Sequence, residues 1–271
     1  MPKIIDCFIF YNEIDLLTYR LNILNDYVDY FIIVESTHTH VGNEKILYFN
    51  NNKHLFDKFN NKIIHIIVDD FPYKCPEIIN ETISWTNEKY HRNAISKGIN
   101  SLNSLNNLTD TDIITITDVD EIPNPEIFKK IKNGDYIINI NIIEMDLYYY
   151  NLNSKFKDKW RHSKILSYAI YKQFNNNCDN IRFYNNIPII ENGGWHLSYF
   201  GDKYFIKNKL QNFAHVECNV PKFTNIDNIQ EKIDKSIDLF DRNFDFIFIK
   251  FEDNNNLPPE YDKYLIYYCN T

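Results

Sequence analysis

The sequence predicts a single α/β domain built on a mostly parallel sheet with helices on both faces. Two observations carry this. Short apolar runs alternate with longer helix-like segments through the first half, the pattern of strands joined by crossover helices. Four of these runs end in polar or acidic residues: Tyr11-Asn12-Glu13, Glu35-Ser36, Asp69-Asp70 and Asp118-Val119-Asp120-Glu121. Ligands of open parallel sheets sit beyond the carboxyl ends of the strands, so a site is expected at that edge.

Taken in order, residues 3–10 (KIIDCFIF) read as a buried strand. Residues 13–25 place Ile14, Leu17, Leu21 and Leu24 at helical spacing, with Asn12 as the expected N-cap. Residues 29–35 and 62–68 read as strands, separated by a polar loop holding Gly42, His38 and His40. A helix is predicted over 82–103, burying Trp85, Tyr90, Ala94, Ile95 and Ile99, and a strand over 112–117. The second half is less regular. Strands are expected over 135–150 and 164–171, with antiparallel pairing open to them, and helices near 202–212 and 225–240. Nothing resembling a linker divides the chain. One domain is expected, with residues 1–123 as a nucleotide-type parallel half and 124–271 as a mixed half that completes the substrate site.

Composition narrows the function. At 271 residues and 44% hydrophobic, the chain can bury a sizeable core. A net charge of −8 without a basic cluster argues against nucleic acid as a partner. No stretch approaches the ~20 apolar residues that cross a bilayer, and the N-terminus lacks signal-peptide features. A chain without a transmembrane segment, in the cytoplasm, is the expectation. Abundant asparagine and only three alanines suit an AT-rich bacterial or viral source. The five cysteines (Cys7, Cys75, Cys178, Cys218, Cys269) never form a CxxC pair, which speaks against zinc or a disulfide framework. Dinucleotide, P-loop, zinc-peptidase and serine-hydrolase motifs are all missing.

Two features carry chemistry. Asp118-Val119-Asp120 ends the apolar strand IITIT. Strand side chains two apart share a face, so both carboxylates are expected to meet one Mn2+ or Mg2+ ion, whose charge would help a diphosphate leave. Gly193-Gly194-Trp195-His196 places adjacent glycines, a sign of a sharp turn or close backbone approach, next to a histidine able to complete the metal's shell. Arg92, spaced i,i+4 from Glu88, and Arg182 are candidate diphosphate ligands; a surface ion pair and a solvated strand position are their plain alternatives.

These segments form an ordered series: NEIDLLTYRLNIL, VDYFIIVEST, DDFP, W-x-x-E-x-Y-x-R, ITDVDEIP, NIRF and GGWHLSYF, spread over about residues 3–215. As a series they resemble glycosyltransferase family 17. The resemblance implies a GT-A-like fold and an inverting, metal-dependent transferase moving N-acetylglucosamine from UDP-N-acetylglucosamine to a glycan acceptor. It also implies Asp118, Asp120 and His196 as metal ligands. Tyr11, Asn12, Glu35, Arg92, Asp118 and Arg182 are implied around the donor. An inverting transfer needs a carboxylate base, for which Glu121 and Asp202 are both candidates. A non-catalytic sugar-binding module and a metal-dependent phosphohydrolase are the competing readings.

Overall fold

The computed structural model describes residues 1–77, 80–106, 108–242 and 246–268; Cys269 lies outside them. The chain opens with β1 (Ile4–Phe10), α1 (Ile14–Leu24), β2 (Tyr30–Ser36), the short helix α2 (Tyr48–Asn51) and β3 (Ile63–Val68). It continues through α3 (Glu81–Asn93), α4 (Ile95–Asn106), β4 (Ile113–Asp118), β5 (Glu121–Pro123) and α5 (Pro125–Asn133). Then come β6 (Ile140–Tyr149), β7 (Ser154–Trp160), β8 (Lys164–Ser167), α6 (Tyr168–Gln173), α7 (Cys178–Phe183) and β9 (Ile189–Ser198). The last elements are α8 (Lys203–Asn212), α9 (Pro221–Thr224), α10 (Ile226–Lys235), β10 (Phe246–Phe248) and α11 (Tyr261–Tyr264).

Among the described residues one ten-stranded sheet runs β10-β7-β6-β8-β4-β1-β2-β3, with β9 beside β6 and β5 beside β9. Strands from both halves of the chain enter it. The first half is parallel as expected: β1 lies between β2 and β4, and β3 flanks β2. The second half corrects the expectation of a mostly parallel sheet. β8 pairs antiparallel with β4, and β6 pairs antiparallel with β7 and β8. Only the short connection 150–153 joins β6 to β7, and a parallel crossover needs a dozen or more residues. The sheet is therefore mixed.

Alternation along β1 supplies two cores. Ile4, Phe8 and Phe10 pack with Leu17, Leu21 and Leu24 of α1 on one face. Ile5, Cys7 and Ile9 pack with Ala94, Ile95 and Ile99 around α4 on the other. Three local expectations change. The predicted 82–103 helix is two helices meeting at Ala94, with Trp85 and Tyr90 only half-buried. The predicted 164–171 strand stops at Ser167, whose hydroxyl accepts from the Ile170 N–H and starts α6 instead. Arg182 lies in helix α7, not on a strand. Asn12 is not the cap of α1; Glu13 occupies that position.

Gly193 and Gly194 make no turn, because both sit inside β9. A Cβ on Gly194 would stand 2.3 Å from the Ile122 carbonyl oxygen, so close approach of β5 to β9 is what the residue permits.

The turn carrying Asp118 and Asp120 is held from below by one side chain. Arg20 of α1 is fully buried and donates through Nε and Nη2 to the two oxygens of Asp6 on β1, at 2.8 and 2.6 Å. Nη2 also reaches the Thr117 hydroxyl, and Nη1 donates to the carbonyls of Asp118 (2.9 Å), Val119 (3.2 Å) and Glu121 (2.8 Å). The guanidinium thus satisfies carbonyls that the end of β4 leaves without strand partners. Replacing Arg20 by Leu strands the Asp6 charge and these carbonyls. Urea unfolding should then show a loss of about 3–5 kcal/mol; a change below ~1 kcal/mol would refute this role.

Candidate active site

A cavity of about 710 Å³ opens over the carboxyl ends of β1, β2 and β4, lined among others by Tyr11, Ser36, Asp118, Asp120, Arg182 and His196. The site thus lies at the expected sheet edge. The two carboxylates of the Asp-x-Asp segment take different partners, however. The strand ends at Asp118 and the chain turns at 119–120, so two-residue alternation no longer applies.

Asp118 turns to the arginines: Arg182 donates to it at 2.9 Å and Arg92 at 3.4 Å. Asp120 turns to Lys209 of α8, whose Nζ donates at 2.9 Å, and to His196, whose Nε2 lies 3.6 Å away. Burial alone would raise the Asp120 pKa; the charges of Lys209 and His196 outweigh it and hold the carboxyl well below its usual range. Lys209 is pushed above the ordinary lysine value, because Asp120 and Glu13, 3.7 Å away, outweigh its own desolvation.

Among the described residues no three His, Cys, Asp or Glu side chains converge as a metal cluster. Asp120 and His196 remain as an adjacent pair of donors. Such a pair suits a magnesium-like ion that takes its other ligands from water and substrate phosphates instead of an all-protein cage. The unpartnered, buried Nδ1 of His196 is consistent with a ring whose polar environment is incomplete without ligand.

The other expected residues divide. Tyr11 lines the cavity and donates its hydroxyl to Asn208 at 2.7 Å. Arg92 stands behind the wall, donating to Glu88 (2.7 Å) and Asp179 (2.8 Å) as well as to Asp118. Its pair with Glu88 is buried, not the surface pair expected from spacing. Glu35 is fully buried outside the cavity lining, where it accepts from the backbone N–H groups of Phe49 and Asn50 and fixes the start of α2. Asn12 lines a second cavity of about 520 Å³, with Asp202.

Of the two carboxylates considered as base, Asp202 caps α8 by accepting from the Tyr204 and Phe205 N–H groups. Glu121 is completely buried and saturated. Its oxygens accept from Trp160 Nε1 (2.7 Å), the Ser163 hydroxyl (2.8 Å), the Asp118 N–H (3.1 Å) and both Nη atoms of Arg182. Burial would raise its pKa, yet Arg182 holds it far below normal. Neither environment suits a proton acceptor.

Sequence reasoning missed Lys209, His91 and the rim residues His215 and Glu217, and it placed Trp85 in the core instead of at the cavity. His38 and His40, expected to be exposed, line the cavity. At the rim the rings of Trp85 and His215 lie 4.6 Å apart, and the His215 Nδ1 is 2.6 Å from Glu217. Among the described residues Glu217 is the cavity-lining carboxylate with no arginine or lysine partner.

The profile of glycosyltransferase family 17 matches residues 1–248. The chain belongs to glycosyltransferase family 17. A 127-residue segment is 29% identical to the human and rat β-1,4-mannosyl-glycoprotein 4-β-N-acetylglucosaminyltransferases, and 28% identical to the mouse protein. It covers 45% of this chain and 22% of those relatives, so the chain matches about a fifth of their length. Two solved structures overlap in part. A 4-diphosphocytidyl-2C-methyl-D-erythritol synthase gives a TM-score of 0.40 at 11% identity, covering 73% of this chain and 90% of its own. The bifunctional glycosyltransferase WbbM gives 0.34 at 7% identity, covering 73% and 38%. Among the described residues of this chain no helix is long and apolar enough to cross a membrane.

The buried histidines make stability pH-dependent. Desolvation lowers His40 and His162 to about 4, and His91 well below its ordinary value. In the unfolded chain each takes up a proton near pH 6.5, whereas in the folded form His40 and His162 stay neutral until about 4 and His91 also resists protonation. Stability is thus full above the unfolded value and is lost as pH falls through that window. Urea unfolding at pH 5 should be weaker than at pH 7, with His40 contributing about 1–2 kcal/mol of the loss. His40→Gln should flatten this slope; an unchanged slope would contradict the assignment.

Proposed function

We propose that this chain transfers a sugar from a nucleotide-sugar donor, UDP-N-acetylglucosamine in the first instance, to a glycan acceptor with inversion at the anomeric carbon. The observation that carries the reading is Asp120 lying between Lys209 and His196 in the same cavity wall as Asp118 and Arg182, in a family 17 chain. The wall offers both signs of charge at close range. Phosphate oxygens would take over Lys209, and Asp120 and His196 would then be free to hold a divalent ion. Such an ion supplies Lewis-acid neutralisation of the departing diphosphate.

Each surrounding group then has a task. Arg182 holds the Asp118 carboxylate, Glu121 holds its N–H, and Arg20 fixes the backbone of the turn, so the charges are in place before the donor arrives. Lys209 stabilises negative charge on the leaving group. The half-exposed aromatic rim at Trp85 and His215 offers the acceptor sugar an apolar face against which to pack. Glu217, next to that rim, takes the proton of the attacking hydroxyl; His215 orients its carboxylate.

Two substitutions test this in a transfer assay with UDP-N-acetylglucosamine, an oligosaccharide acceptor and Mn2+. Asp120→Asn should reduce kcat/KM by roughly 100-fold or more at near-native melting temperature. Glu217→Gln should reduce kcat by ~100-fold or more with little change in the KM for donor. Retained activity in Asp120→Asn removes the metal role, and retained activity in Glu217→Gln moves the base elsewhere. Free phosphate released without sugar transfer would favour a phosphohydrolase.

A further inference from the structure

A chain of buried hydrogen bonds beside the diphosphate wall determines the protonation pattern of His40. His91 Nε2 lies 3.1 Å from the Val34 carbonyl oxygen, which can only accept, so Nε2 carries the proton. His91 is neutral, kept so by burial, and its Nδ1 is therefore a bare lone pair. His40 Nε2 stands 3.2 Å from that Nδ1 and must be its donor. His40 is neutral as well, which leaves its own Nδ1 without a proton.

This bare Nδ1 faces another acceptor. Glu88 Oε2 lies 3.7 Å from it, and both residues line the cavity. The Glu88 carboxylate cannot turn away freely, because Arg92 donates to its Oε1 at 2.7 Å and anchors the same guanidinium on Asp118 and Asp179. Two acceptors thus stand side by side in a sheltered wall with no proton between them. A ligand entering the cavity with paired O–H donors would satisfy both acceptors at once.

We infer that His40 Nδ1 and Glu88 form a subsite for the vicinal hydroxyls of a ribose, each acceptor taking one O–H, so that the enzyme selects ribonucleotide over deoxyribonucleotide donors. Adjacent ring hydroxyls present two donors with the neighbouring spacing that these acceptors require. A phosphate is excluded from the same position, since it would place a third acceptor against two. Arg92 bridges Glu88 to Asp118, which sets the ribose subsite beside the proposed diphosphate site in the order that a nucleoside diphosphate demands. The inference rests on the nucleotide-sugar reading and adds the part of the nucleotide that is read.

Calorimetric titration of the intact protein with UDP, 2′-deoxy-UDP and 3′-deoxy-UDP in Mn2+ separates the two. Loss of a donor to a charged or buried acceptor should weaken binding of each deoxy ligand by ~10-fold or more. In His40→Leu the 2′- or 3′-deoxy penalty should shrink to within ~3-fold, while UDP itself weakens; circular dichroism checks the fold. Equal affinity for UDP and both deoxy ligands would overturn the ribose subsite and leave the transferase reading standing. A deoxy penalty unchanged in His40→Leu would also overturn it. No binding of UDP would overturn both.

Discussion

The Arg20–Asp6 pair is the constraint on which the site depends. One guanidinium joins α1 to β1 and then spends its remaining donors on the Thr117 hydroxyl and the carbonyls of Asp118, Val119 and Glu121. A strand end projecting past its sheet partners would otherwise carry unpaired carbonyls and adopt many conformations. Held by Arg20, it places Asp118 and Asp120 at set positions on the cavity wall. A buried ion pair adds little net stability over an apolar equivalent, so its contribution here is the geometry of the turn above it.

Among the described residues, the cavity-wall carboxylates other than Glu217 each have a lysine or arginine partner. Asp118 has Arg182, Glu88 has Arg92 and Asp120 has Lys209. Ligand binding then exchanges partners instead of exposing bare charge, which lowers the cost of burying a diphosphate. Two places among the described residues are informative for that reason. His196 Nδ1 is buried without a hydrogen bond, and the His40 Nδ1–Glu88 contact joins two acceptors. Both call for something that a ligand supplies.

Much of this was legible in the sequence, and for local reasons. The first parallel strands and the sheet-edge site follow from apolar runs ending in acids, and the Asp-x-Asp segment stood out because it closes such a run. Long-range pairing was not legible. Lys209 is separated from Asp120 by 89 residues, and nothing in the α8 sequence singles it out from the other lysines there. Asp202 read as a candidate base because of its acid, whereas its place directly before a helix was the better signal of a cap. Residues 164–171 show why short apolar runs mislead: KILS is a strand and YAIY a helix, and only Ser167 marks the boundary. The antiparallel second half was weakly signalled by the short stretch between its long strands.

In the proposed reaction Asp120 and His196 would hold a divalent ion only in company with a nucleoside diphosphate. Mn2+ binding followed by electron paramagnetic resonance, with and without saturating UDP, tests this most directly. Mn2+ should bind the free protein weakly and at least ~10-fold more tightly with UDP, and UDP affinity should rise by the same factor in Mn2+. Equal Mn2+ affinity in the two conditions would contradict it.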